Sequence, residues 1–120
     1  MSPAHNNSES VNDALDALDR GVEPERPVLR DAVRALLTEL SHRAPGRSVE
    51  VRIPPFGAIQ CVPGPRHTRG TPPNVVETDP MTWLLVATGR LSWASAVAEG
   101  RIRASGIRTD LSEHLPLTGG

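Results

Sequence analysis

The chain has no tyrosine and no lysine, and its 120 residues include one phenylalanine, two tryptophans and one cysteine. Three aromatic rings cannot supply the stacking platform of a nucleic-acid binder, and a formal net charge of −1 provides no basic face. All thirteen basic residues are arginine, which reads as the codon usage of a GC-rich genome and not as a sign of nucleic-acid contact. The lone Cys61 excludes an internal disulfide framework. No stretch approaches the roughly 18 apolar residues of a membrane span. The polar, acidic start "MSPAHNNSES" has neither the basic opening nor the apolar run of a signal peptide. A soluble, cytoplasmic chain of one domain is therefore expected. Its core must be built from Val, Leu, Ile and Ala, with Trp83 and Trp93 as the largest pieces.

Against these absences, the apolar spacing is well marked. Residues 1 to about 10 have little to bury and read as disordered. Val11, Leu15 and Leu18 then stand at i, i+4 and i+7, the spacing of a short helix that ends at Gly21. The strongest helical signal opens at Pro27, with Val28, Ala32, Leu36 and Leu40 in one row and Leu29, Val33 and Leu37 in the next. "APG" at 44–46 stops it. The period then switches to two. Val49, Val51 and Ile53 alternate with Glu50 and Arg52, and "AIQCV" at 58–62 completes a hairpin. "NVVET" at 74–78 is a third strand. A helix follows, capped by Thr78 or Asp79 and closed by Gly89; Met81, Leu84, Leu85 and Thr88 lie near one face, with Trp83 and Val86 to the side. Ser92 and Gly100 punctuate a second helix in the same way, with Trp93, Ala96 and Val97 inward. "RIRAS" at 101–105 is a fourth strand with Ile102 and Ala104 on one face, and a last turn lies around Leu111 and Leu115. This order predicts a two-layer α+β fold.

The segment between the second and third strands, "CVPGPRHTRGTPPNVVETDP", carries two arginines, a histidine and five prolines. Arg66, His67 and Arg69, interleaved with glycine and threonine, could converge on a carboxylate or phosphate. The plainer reading is a Pro-stiffened connection whose arginines pair with nearby carboxylates. Both are kept, as a rigid loop with an anion-contacting role. His67 near Cys61 raises a thiol–imidazole pair, but Cys61 falls in a strand pattern that favours a buried thiol. No third residue orients such a pair, so no catalytic residue is assigned and no enzyme is expected. His5, His42, His67 and His114 are scattered without ligand spacing, so no metal is assigned. "GPRHTRG" lacks the lysine and the context of a phosphate loop, and no cofactor is expected.

From Asp79 onward, "DPMTWLLVATGRLSWASAVAEGRIRASG" resembles the C-terminal half of the sterol carrier protein family. The shared pattern is an acidic helix opener, an apolar helix, "TG" with a basic residue and Leu, a second short helix, then Gly and a basic–apolar–basic strand. Upstream, "RAPGRSVEVRIPPFGAIQCVPGPRHTRGTPPNVVETDP" resembles the family's small, stand-alone actinobacterial branch. The resemblance runs over about residues 27–117. It implies a curved sheet of about four to five strands with helices on one face. It divides the chain into a flexible segment 1–22 that accommodates a short helix, a carrier-like domain 23–117 and a frayed tail 118–120. It also implies a noncatalytic carrier for a lipid or other apolar molecule of the sterol or fatty-acyl class. Trp83, Leu84, Leu85, Leu91, Trp93, Val97, Ile102 and Leu111 would line its pocket, with Arg66, His67 and Arg69 at the polar end of the ligand. Larger members have an extra strand where this chain has its loop, and a longer last helix, so a small pocket or a filled core is implied. The alternative is an interaction module or homodimer with a filled core and no lipid.

Overall fold

Four strands, β1 (Val49–Ile53), β2 (Gly57–Cys61), β3 (Asn74–Thr78) and β4 (Ile102–Ser105), form one open sheet in the order β2-β1-β3-β4. They come from a computed structural model that describes residues 7–64 and 74–118. β1 pairs antiparallel with β2 from Val49↔Cys61 to Ile53↔Gly57, a hairpin closed by the Phe56 amide donating to the Ile53 carbonyl at 2.8 Å. β3 pairs parallel to β1, and β4 antiparallel to β3. The alternation in the sequence is reproduced in space. Val49, Val51, Ile53, Cys61 and Val76 are buried on one face, while Arg52 and Gln60 stand exposed on the other.

Four helices join the sheet: α1 (Asn7–Asp19), α2 (Arg26–Arg43), α3 (Pro80–Ala87) and α4 (Trp93–Ala98), with a 3-10 turn at Ser112–His114. Together with the sheet they make the expected α+β fold. In α2, Pro27 lies in the first turn, where a missing N–H costs no hydrogen bond. The two apolar rows of this helix bury Ala32, Val33, Leu36, Leu37 and Leu40. Arg34, off the stripe, donates its Nε–H to the Phe56 carbonyl at 2.9 Å and ties the helix to the hairpin turn. Arg26 stands 5.0 Å from the centroid of the Phe56 ring, a cation–π contact at the same corner.

Several expectations change in space. α1 begins at Asn7, four residues before Val11, and packs on α2. Its most buried positions are Ser10, Val11, Ala14 and Ala17, whereas Leu15 and Leu18 are only half buried. Small residues allow the close helix approach, which leaves the leucines on the flank. The second strand ends at Cys61, because Val62 turns to φ +69°. α3 buries Thr82, Trp83, Leu84, Val86 and Ala87, more than one face, and its least covered leucine is Leu85. Ala104 is exposed although it shares a face with Ile102, because β4 is an edge strand of the sheet. Val97, expected inward, is 46% exposed; Ala96 alone in α4 is buried.

Candidate functional site

The apolar residues expected to form a pocket divide into three groups. Trp83, Leu84, Ile102 and Leu111 are core. Leu91 and Trp93 pack against that core and, like Leu85, are only partly buried. Val97, one helical turn beyond Trp93, stands on the surface. α3 positions the first group. It is anchored to α2 by the Trp83 indole, whose Nε1–H donates to the Val33 carbonyl at 3.3 Å. At its other end the Leu117 amide donates to the Ala87 carbonyl at 2.7 Å. The chain then turns at Gly89, φ +81°, and the Leu91 amide returns to the Leu85 carbonyl at 3.2 Å. That contact brings Leu85 and Leu91 together at the rim between α3 and α4.

A polar brace that apolar patterning does not reveal fixes the opposite end of α3. Asp79 caps the helix, its Oδ2 accepting from the Thr82 amide at 3.0 Å and its Oδ1 from the Thr82 hydroxyl at 2.6 Å. The same hydroxyl oxygen accepts from Arg101 Nε at 3.1 Å, and the Arg101 carbonyl accepts from the Thr78 hydroxyl at 2.6 Å. The end of β3, the start of α3 and the entry to β4 are thereby held in one network. Partial burial pushes the Asp79 carboxyl up, but the two Thr82 hydrogen bonds and the Arg101 charge outweigh it and hold the group below its ordinary value. The threonine three residues after a capping aspartate is the only sequence signal of this brace. The partner Arg101 lies nineteen residues away, beyond any local pattern.

Arg66, His67 and Arg69 lie outside the described residues, so only the roots of their loop can be placed. Both roots meet at Ser48. Its amide and hydroxyl donate to the Val62 carbonyl at 3.1 and 2.7 Å, and its carbonyl accepts from Asn74 Nδ2 at 2.8 Å. Asn74 Oδ1 in turn accepts from the Arg108 amide at 2.9 Å. Gly46 passes so near the Val62 carbonyl that a Cβ there would overlap it, so only glycine fits. Val62 itself is a β-branched residue in the left-handed region, a strained conformation held by these contacts.

Cys61 is buried, and desolvation pushes its thiol up to about 11, so it stays protonated at neutral pH. Among the described residues no group of three or more His, Cys, Asp or Glu side chains is arranged to hold a metal ion. Every buried side-chain nitrogen and oxygen among them has a hydrogen-bond partner. No helix among them is long and apolar enough to cross a membrane.

No curated protein matches the chain. Residues 25–117, from the cap of α2 to the segment that follows the 3-10 turn, match the model of the family described as bacterial SCP ortholog. That stretch holds all four strands and the helices α2, α3 and α4, so the expected resemblance holds over the whole sheet and the helices that cover it. The chain belongs to the sterol-carrier-protein-like family of bacterial SCP orthologs.

Proposed function

We propose that this protein is a noncatalytic binder of a lipid or another apolar small molecule of the sterol or fatty-acyl class, held against α3 and α4. The observation that carries the reading is the incomplete burial of Leu85, Leu91 and Trp93 at the rim between those helices, where Leu91 and Trp93 pack against the core. Val97 extends the same apolar strip onto the surface. Membership in a carrier-like family supports it. The hydrogen-bond satisfaction of the described interior supports an apolar ligand body, since no buried polar side-chain atom is left to recognise a polar one. On this reading the functional unit is residues 23–117, and Arg66, His67 and Arg69 contact the polar end of the ligand.

The experiment is native mass spectrometry of protein purified without denaturant or detergent, followed by extraction of the bound material. The expected result is a stoichiometric lipid-sized adduct that Trp93→Ala weakens. A bare protein that stays bare with added acyl chains and sterols rejects the carrier reading.

One observation favours the alternative of an interaction module. β4 is an edge strand with Arg103, Ala104 and Ser105 exposed, open to pairing with a second copy. A ligand-free dimer in sedimentation, dissociated by Ala104→Pro, would establish it.

A further inference from the structure

A groove of about 290 Å³ lies between α1, α2 and the chain end, near the lower size limit for a small-molecule site. Its floor is apolar, made of the buried side chains of Val11, Ala35, Leu36 and Leu117. Its rim is polar and exposed: Asn12, Glu39 and Thr118. At about 100° per residue, Ala35 and Glu39 point to the side of α2 opposite Val33 and Leu37. The Trp83 indole bonds to the Val33 backbone carbonyl, Leu37 lies beside Gly57, and no residue of α3 or α4 lines the groove, so it is separate from the α3–α4 rim. Two of its walls, α1 and Thr118, lie outside the stretch that matches the family.

The wall at the chain end is fixed. Arg43 donates from its two terminal nitrogens to the Pro116 carbonyl at 3.1 Å and the Leu117 carbonyl at 2.9 Å, while the Leu117 amide is held by Ala87. These bonds preorganise the groove and hold the Arg43 guanidinium, which also pairs with Glu39, outside its lining. Glu39 lies 3.6 Å from Arg43 with half of its side chain exposed, and no cationic residue lines the groove. The rim therefore offers a carboxylate, an amide and a hydroxyl above an apolar floor. A carboxylate head placed there would face Glu39 with like charge. A hydroxyl or ammonium head would donate to it.

We propose that this groove is a second small-molecule site, taking an apolar body with a hydrogen-bond-donating head, hydroxyl or ammonium, and discriminating against carboxylates. The proposal is independent of the α3–α4 carrier reading.

The test is two-dimensional NMR of the full ¹⁵N-labelled chain titrated with decanol, decylamine and decanoate below their aggregation limits. Saturable shifts for decanol or decylamine are expected at residues 11–12, 35–39 and 117–118, with decanoate roughly tenfold weaker. Whether the alcohol or the amine binds more tightly identifies the head group. Ala35→Leu, which fills the floor, should abolish the shifts while the far-ultraviolet circular dichroism stays native. If that variant fails to fold, Glu39→Gln on the exposed rim carries the test alone, by narrowing the gap between decanol and decanoate. Shifts confined to the surroundings of Trp83 and Trp93, or no saturation, overturn this proposal and leave the carrier reading untouched. Decanoate binding as tightly as both other probes overturns it as well.

Discussion

The helices α3 and α4 are punctuated alike and buried differently. Each starts at an extended capping residue whose side chain accepts an amide three positions on, Asp79 from Thr82 and Ser92 from Ser95. Each ends at a glycine in the left-handed region, Gly89 at φ +81° and Gly100 at φ +74°. Yet α3 buries five side chains in eight residues and α4 one in six. α3 has partners on several sides, from Val33 of α2, Leu117 of the chain end and Arg101 at the entry to β4. α4 lies at the margin of the layer and rests on Ala96. Local chemistry starts and stops a helix; neighbours decide what it is worth.

The contrast is sharpest for the two indoles. Trp83→Ala should cost about 3–5 kcal/mol, because it empties a fully enclosed volume that α2 cannot collapse to fill. Trp93→Ala should cost clearly less, since its side chain is already partly in water. Urea unfolding of the two variants checks this, and equal losses would mean that α4 is as much core as α3.

The caps come next. Asp79→Ala should cost about 1–2 kcal/mol, as it also leaves the Thr82 hydroxyl proton without its acceptor, and Ser92→Ala about 0.5–1 kcal/mol. Asp79 adds a pH signature. Its carboxyl is held below the ordinary aspartate value in the fold, so its contribution is complete above the unfolded-state pKa and is lost as pH falls through the folded one. The stability gap between wild type and Asp79→Asn should therefore shrink on acidification below about pH 4. A gap that is constant from neutral pH into that range would place the effect in shape and not in charge.

The terminators should look equal. Gly89→Ala and Gly100→Ala should each cost about 1–2 kcal/mol, since both force a Cβ into the left-handed region. A much larger loss at either would reveal packing beyond the turn itself; a Cβ at Gly100 meets nothing within 4 Å. The smallest effect belongs to Val97→Ala, within about 0.5 kcal/mol in thermal or denaturant unfolding. If that same variant lowers affinity for an apolar ligand, the exposed valine serves binding and not the fold.

Elements with a repeating local cause were legible in the sequence. The period-two run of β1, the bounds of β3, the two rows of α2 and both capped helices follow from spacing and from residues that favour a particular backbone. The brace around Thr82 and Arg101 was not, because its members are separated along the chain and each is unremarkable alone. Nor was the grip of Ser48 on Val62 and Asn74, which joins three segments. The groove beneath Asn12 and Glu39 was also invisible, since its walls come from both ends of the chain.

The sequence by itself determined the element types, their order and the ends marked by a cap or a stopping glycine, since each rests on interactions within a few residues. It also carried the family's pattern in its glycines, caps and alternations. Only the tertiary structure decided that Ala14 and Ala17 outrank Leu15 and Leu18 in burial, that Trp83 lies enclosed while Val97 stands in water, and that Arg43 is committed to the carbonyls of Pro116 and Leu117. Burial and electrostatics depend on which distant segment arrives alongside a residue, and a helix with several apolar faces does not specify which face will be met.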